Sequence, residues 1–284
     1  AMSPKKVKKL PLIHSLLWIV GSLLFVSGSA FKGVNYYLNC KIQKTRDPSL
    51  LIRAIIQTGP QREALTTEYL AELMNLSSDR PVALSQFNLE HARHALLQSP
   101  VIKEAEVKAL PPNTLYVDYV ARQPIAWFSD YENIAIDEEG YFFPVYPFFT
   151  PKNLPEIYLG NAALSQLHEW HIPKTNQHLE LGLTLLKTVL QAEARDLIHL
   201  KRIDVSNAFA ISYGFREIVL ICEDMIGDTL HTRYLRLSPK NYPQELGNYL
   251  KLREQLIAKE RTAERATTKI IDLRLSNLGY IEEL

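Results

Sequence analysis

The chain has 284 residues, enough for two ordinary domains and a membrane segment, and 46% of them are hydrophobic, enough for a sizeable core. Its formal net charge is only +1, from 32 basic and 31 acidic residues, so it lacks the basic excess of a nucleic-acid-binding protein. The two cysteines, Cys40 and Cys222, form neither a CxxC motif nor a disulfide framework. We predict that Cys222 is a small core residue of a strand.

An apolar segment follows the lysine-rich N-terminal residues. No full charge interrupts it from Leu10 to Phe31, and at about 1.5 Å per residue it covers the ~30 Å hydrocarbon core of a bilayer. We therefore expect a cytoplasmic tail at 1–11, a transmembrane helix at 12–34 and a linker at 35–49, with the remaining residues outside the cytoplasm. A cleaved signal peptide is the alternative, because Gly28 and Ala30 suit a cleavage site.

Residues 50–122 have the pattern strand, helix, helix, strand, strand. A β-rich run ends at Thr58-Gly59-Pro60, and Thr66 and Asn88 are suitable N-caps for two amphipathic helices. Apolar residues then alternate with charged ones from Ala105 to Ala109. The chain turns at Pro111-Pro112-Asn113 and alternates again on its way back. The pattern predicts a hairpin preceded by two helices.

The sequence pattern of residues 123–284 predicts a β-rich domain with two helices. Asn176 caps a first helix, whose leucine stripe runs from Leu179 to Leu197, and a second helix spans Tyr242 to Glu260. The charged run 259–265 is predicted to be a solvated helix end or loop. The predicted strands are Arg202–Ser206, Phe209–Tyr213, Glu217–Cys222, Thr232–Leu237 and Lys269–Leu275. In the last of these, Ile271, Leu273 and Leu275 point to one side.

Four segments, in this order and behind an apolar anchor, resemble a known family. Residues 97–117 resemble the end of a POTRA domain. Ala-Arg-Gln-Pro-Ile-Ala-Trp at 121–127 and Ile-Asp-Glu-Glu-Gly-Tyr-Phe-Phe at 136–143 are similar to the Arg-x-Pro-x-Ala-x-Trp and Asp-x-x-Gly motifs of the FtsQ (DivIB) family of bacterial cell-division proteins. Leu-Pro-Glu-Ile-Tyr-Leu-Gly at 154–160 resembles the Leu-Pro…Gly that follows there. The resemblance runs from about residue 12 to residue 284.

The resemblance implies an α+β protein with a single transmembrane helix, a POTRA domain at 50–122 and an FtsQ-type β-domain at 123–284. It implies a non-enzymatic scaffold of the divisome, single-pass in the cell inner membrane and enriched at the division site. In this family the final strand offers its edge to FtsB, and the implied partners are FtsB and FtsL. Transferred by position, the contact falls on Arg274, Leu275, Ser276 and Gly279, with Tyr280 as an aromatic anchor. Leu275 stands where the family has an aromatic residue.

Other functions have less support in the sequence. A POTRA-bearing component of protein secretion or outer-membrane assembly is the alternative, and it predicts repeated POTRA units. The pairs His91/His94 and His168/His171 supply only two ligands each, fewer than a metal site needs. The chain has no GxSxG motif, P-loop or Rossmann fingerprint. We therefore expect no catalytic residue and no cofactor.

Overall fold

The structure is a computed structural model, and it describes residues 18, 21–22, 26–39, 48–60, 62–160, 176–191, 198–261, 265–275 and 278–284. The predicted cytoplasmic tail and much of the predicted transmembrane helix at 12–34 lie outside these ranges. Residues 26–39 are helical. Across the ranges described, no helix is both long enough and apolar enough to cross a bilayer.

The first folded unit has the predicted order of elements. Both of its helices begin at the predicted caps: Thr66 Oγ1 accepts the N–H of Tyr69 at 3.3 Å, and Asn88 Oδ1 accepts that of His91 at 2.9 Å. Each cap satisfies an amide that the first helical turn leaves unpaired. The elements are β1 (Ala54–Thr58), α1 (Thr67–Leu73), α2 (Leu89–Leu97), β2 (Ile102–Leu110) and β3 (Thr114–Ala121).

The three strands of this unit form one sheet with β3 in the middle. Strand β1 is parallel to β3, and β2 is antiparallel to it. The two helices cover one face, where Leu70 and Leu96 are fully buried against Leu115 and Val117. The same apolar cluster continues past residue 122, the predicted end of the first domain. Its members beyond that point are Ala135, Phe143, Val145 and Phe149.

The second unit is a mixed sheet with two helices. Its elements are β4 (Ala126–Phe128), β5 (Ile134–Ile136), β6 (Phe142–Pro144), β7 (Glu156–Tyr158), α3 (Gln177–Val189), β8 (His199–Asp204), β9 (Ile218–Ile226), β10 (Thr229–Leu237), α4 (Tyr242–Glu260), β11 (Thr268–Asp272) and β12 (Tyr280–Glu283). Within the described ranges, nine strands pair in the order β12-β11-β10-β9-β8-β7-β4-β5-β6. Pairs β4–β7, β7–β8 and β10–β11 are parallel. A helix lies between the two strands of each of the last two pairs along the chain, as in most parallel crossovers. The predicted α+β class is confirmed.

Helices α3 and α4 pack against one face of this sheet. Leu186 of α3 and Tyr249 of α4 are buried there with Leu220 of β9 and Leu235 of β10. Burial alternates along β9, as expected for a strand with one covered face. Cys222 is 1% exposed and belongs to this core, as predicted, and burial raises the pKa of its thiol.

Two predicted elements of this unit were wrong. Helix α3 ends at Val189 instead of running to Leu197. The next leucine of the stripe, Leu190, is 41% exposed, so the stripe is already leaving the core there; residues 192–197 lie outside the described ranges. Residues Phe209–Tyr213 are a loop, not a strand. Strands β8 and β9 pair directly with each other, so no edge is left between them for an intervening strand.

Candidate functional site

The nine-stranded sheet ends at one side in a short hairpin. Strand β11 lies parallel to β10, and β12 folds back antiparallel onto β11, with Ile281 opposite Ile271 and Tyr280 opposite Asp272. Strand β12 is the terminal strand of the sheet, and all four of its side chains are exposed. We call the free side of β12 the docking edge. Among the residues that the structure describes, no strand pairs with it.

The prediction that the strand ending at Leu275 is the last one was wrong. Strand β11 stops at Asp272, and the chain then turns back to form β12. Asp272 Oδ1 accepts the N–H of Arg274 at 3.1 Å, and Leu278 N–H donates to the carbonyl of Leu275 at 3.2 Å. An aspartate that accepts an amide two residues later stabilises a turn and competes with strand pairing.

Half of the amides of β12 are free for another strand. The N–H of Leu284 donates to the carbonyl of Thr268 at 2.9 Å, towards β11. Because amides of successive strand residues point to opposite sides of the strand, those of Ile281 and Glu283 point away from β11. These N–H groups lie along the docking edge, and such unpaired groups are a template for strand addition.

Of the predicted contact residues, Arg274 is already engaged within the fold. Its guanidinium contacts Asp272 Oδ2 at 2.6 Å and Glu217 Oε2 at 3.4 Å, and it donates to the carbonyl of Gly214 at 3.3 Å. These bonds raise the pKa of Arg274. Burial alone would raise the pKa of Asp272, but the hydrogen bonds from Arg274 hold it below its ordinary value. Arg274 therefore fixes the turn after β11.

The other predicted residues lie around the same turn. Leu275 is 60% and Tyr280 62% exposed, so both are available to a partner. Gly279 precedes β12, and a Cβ there would make an ordinary contact of 3.5 Å with Leu273. Ser276 lies outside the described ranges. The structure thus brings Arg274, Leu275, Gly279 and Tyr280 together at one corner of the sheet.

A groove of about 570 Å³ adjoins this corner. Asp272, Arg274 and Leu275 form one side of it, and residues of the β8–β9 loop and of the loop before α4 form the rest. The basic side chains of Arg216 and Lys240 line it together with Phe209 and Tyr213. The groove therefore offers both apolar contact and positive charge beside the docking edge.

The sequence prediction missed the β8–β9 loop as a surface feature. Ile211 is 97% exposed, and three aromatic side chains in the same loop are also exposed, namely Phe209, Tyr213 and Phe215. The guanidinium of Arg216 lies 4.0 Å from the ring centre of Tyr213 and orders that aromatic residue. The run alternates large and small residues and so imitates a strand, and no local signal shows that it is a loop. Clustered exposed apolar side chains of this kind mark interaction sites.

A network of ion pairs connects the hairpin to β10 and to the end of α4. Glu260, the last residue of α4, binds Lys269 of β11 at 2.6 Å and also pairs with Arg233 of β10. Lys269 reaches Glu283 of β12 at 3.5 Å. Glu260 is 4% exposed, so the prediction that the run 259–265 is solvated was wrong at this residue. The network ties α4, β10, β11 and β12 together.

The two histidine pairs considered as metal ligands in the sequence can be placed in the structure only in part. Where the chain is described, no group of three or more His, Cys, Asp and Glu side chains is placed to hold a metal ion. His91 and His94 are exposed on α2, and His168 and His171 lie outside the described ranges.

Comparison with known proteins agrees with the resemblance read from the motifs. No protein-family model matches the chain. The chain is similar to the cell division protein FtsQ of Rickettsia felis, with 30% identity over 136 residues. The aligned part is 47% of this chain and 49% of that protein, so the chain spans about half the length of the curated relative it matches. The predicted resemblance to FtsQ is confirmed.

Proposed function

We propose that this chain is a non-enzymatic scaffold of bacterial cell division, which recruits and positions other division proteins during septum formation. The resemblance to FtsQ supports the process. The docking edge supports the mode of action, and it is the observation that carries the proposal: an open strand edge beside an apolar and basic groove. Such a surface suits the binding of another protein by strand addition.

The partner adds a strand to β12. Backbone hydrogen bonds to the free amides of Ile281 and Glu283 supply affinity, and alternate side chains supply specificity. The partner's residues beyond this strand enter the groove, where apolar side chains meet Phe209, Tyr213 and Leu275. Acidic side chains of the partner meet Arg216 and Lys240. Proteins of the FtsB and FtsL type, which the resemblance implies, are the proposed partners.

The proposal includes anchoring in the cell inner membrane. The uncharged run Leu10–Phe31 is the proposed anchor, with the N-terminus in the cytoplasm and the folded units outside it. The first unit has the β-α-α-β-β order of a POTRA domain. We assign it a part in bringing the protein to the division site, with the hairpin Val107–Val120 as the contact face.

Photo-crosslinking in living cells tests the docking edge. A photoreactive residue at Leu275 or Tyr280 of the full-length chain should yield an adduct with a small membrane protein of the FtsB type, identified by mass spectrometry. Ile281→Pro removes an outward N–H without touching the pairing with β11. It should lower the adduct yield at least about fivefold, because lost backbone hydrogen bonds cost on the order of 1–2 kcal/mol.

Ile281→Ala is the matched control, since it shortens the same side chain but keeps the N–H. It should retain most of the adduct. Equal yields from both variants would show that backbone pairing at β12 does not hold the partner. The absence of any division protein among the adducts at Leu275 and Tyr280 would overturn the proposed function at this corner.

A further inference from the structure

Two charged residues of the FtsQ-like motifs meet although they lie in different units. Arg122 of the Arg-x-Pro motif directly follows β3, and Asp137 of the Asp-x-x-Gly motif directly follows β5. Arg122 Nη1 and Asp137 Oδ2 are 2.7 Å apart. The two residues are only 9% and 4% exposed. The proposed partner binding at β12 makes no use of this pair.

The surroundings fix both groups of the pair. Asp137 Oδ1 accepts the N–H groups of Glu139 at 3.0 Å and Tyr141 at 2.9 Å, so the carboxylate also shapes the turn after β5. The guanidinium of Arg122 lies 3.6 Å from the ring centre of Tyr141. Glu139 in turn binds Lys103 of β2 at 2.8 Å. The first unit thus contacts this turn at two points, through Arg122, which follows β3, and through Lys103 of β2.

A second polar contact joins the units elsewhere. Glu63, in the segment between β1 and α1, accepts hydrogen bonds from Lys152 Nζ at 2.8 Å and from the N–H of Thr150 at 3.1 Å. The Lys152 ammonium group and the Thr150 hydroxyl lower the pKa of Glu63. Trp127 Nε1 donates to the carbonyl of Lys152 at 3.2 Å and orders the same segment.

We propose that the pairs Arg122–Asp137 and Glu63–Lys152 form a clasp that holds the two units in a single relative orientation. A buried ion pair adds little net stability, but any arrangement that separates its partners leaves a buried charge unpaired. The clasp therefore adds a polar requirement to the shared apolar core and selects one orientation of the two units. Arg122 and Asp137 are positioning residues, and this role does not depend on the identity of any partner.

The clasp gives the molecule a fixed span. The docking edge and β6, which lies against the first unit, are at opposite ends of the nine-stranded sheet. At about 4.8 Å per strand, eight strand spacings give a path of roughly 38 Å along the sheet, which is the upper limit of their separation. A partner on β12 is thereby held at a constant distance from the first unit.

Distance measurement between two spin labels tests the clasp without any partner. The labels replace Leu110 at the end of β2 and Met225 in β9, which are 41% and 67% exposed. Cys40→Ser removes one native thiol, and Cys222 is buried. In the full chain, double electron–electron resonance should give one narrow distance distribution. Arg122→Met should at least double its width, and Asp137→Asn should do the same.

Arg202→Met is the matched control, because it breaks an ion pair with Glu156 that lies within the second sheet. Its distribution should remain as narrow as that of the parent chain. Should Arg122→Met fail to fold, Asp137→Asn decides for the buried pair. The double variant Glu63→Gln, Lys152→Met, whose residues are partly exposed, should also broaden the distribution. Unchanged widths in the folded clasp variants would overturn the proposal, whatever the outcome of partner crosslinking.

Discussion

Arg233 lies on β10 with its guanidinium fully buried between the sheet and α4. It pairs with Glu260 and lies 3.7 Å from Asp224, which also binds Arg253 at 2.7 Å. Removing ions from water costs several kcal/mol each, and only close partners offset that cost. Each carboxylate of this network therefore depends on more than one cation.

Replacement of Arg233 by methionine should destabilise the protein strongly. Methionine fills much of the same volume but leaves Glu260 and Asp224 short of a cation inside the core. The expected loss is about 3–5 kcal/mol in the free energy of unfolding, measured by urea denaturation at pH 7.

Arg202→Met provides the comparison, because Arg202 and Glu156 are 41% and 39% exposed at the side chain. Exposed ion pairs contribute about 0–1 kcal/mol, so this variant should unfold within that range of the parent. Similar losses in both variants would mean that burial does not govern the energetics of these pairs.

The sequence could not show which charged residues are buried. Glu260 stands in the run Lys-Glu-Arg at 259–261, which looks solvated by composition. Its partners Arg233 and Lys269 are 27 and 9 residues away, and only the packing of α4 across β10 and β11 brings them together. Burial of this kind depends on long-range contacts that no local pattern encodes.

At the scale of elements, the end of α4 holds the docking hairpin in a pH-dependent way. Burial alone would raise the pKa of Glu260, but the hydrogen bond from Lys269 and the charge of Arg233 hold it below its ordinary value. A carboxyl with a lowered folded-state pKa stabilises the protein above its unfolded value and loses this effect as the pH falls through the folded value.

The free energy of unfolding should therefore fall in acid partly through Glu260. The contribution of Glu260 to the free energy of unfolding should change little between pH 7 and 5. It should decrease below about pH 4.3, the ordinary pKa of a glutamate. Glu260→Gln should be less stable than the parent at pH 7, and its stability should decline less steeply between pH 5 and 3. If the free energy of unfolding falls with pH equally steeply in the two proteins, another carboxyl group causes the loss of stability in acid.

Elements specified locally were predicted well from the sequence. Thr66, Asn88 and Asn176 cap helices as expected, because an N-cap acts within three residues. Helix α4 spans the predicted Tyr242–Glu260. Strands were predicted less well, since Phe209–Tyr213 alternates like a strand but has no edge to pair with.

The candidate site was predicted in part. Leu275 and Tyr280 lie at the corner and are exposed, whereas β12 itself was not predicted. Its sequence Tyr-Ile-Glu-Glu has neither a buried face nor an apolar alternation, and it is a strand only because β11 offers an edge. The groove escaped prediction because its lining comes from three separate segments, namely the β8–β9 loop, the loop before α4 and the turn after β11.

At the scale of the molecule, the two units share an apolar core. Phe143 and Phe149 contact each other edge to face, and Phe148 lies 4.8 Å from Tyr69 of α1, measured between ring centres. All four side chains belong to or pack on the core of the first unit. Residues after position 122 thus complete the apolar core of the first unit.

A fragment of residues 48–122 should therefore not fold by itself. Burial of each phenylalanine contributes about 1.5–3 kcal/mol, and small domains have only about 5–15 kcal/mol of stability in total. Thermal unfolding followed by circular dichroism should show no cooperative transition for this fragment. A fragment of residues 48–152 restores the three phenylalanines and should show one. Cooperative unfolding of 48–122 would establish the first unit as an independent domain.

The strand order of the large sheet has a consequence for assembly. From β8 to β12, every strand lies beside the one that precedes it in the chain. During folding, each of these strands can therefore pair with the free edge of the strand before it, so that strands are added at one side of the sheet only. A partner strand on β12 would be added in the same direction as the tenth strand of the sheet, so the backbone pairing that completes the fold would also form the complex.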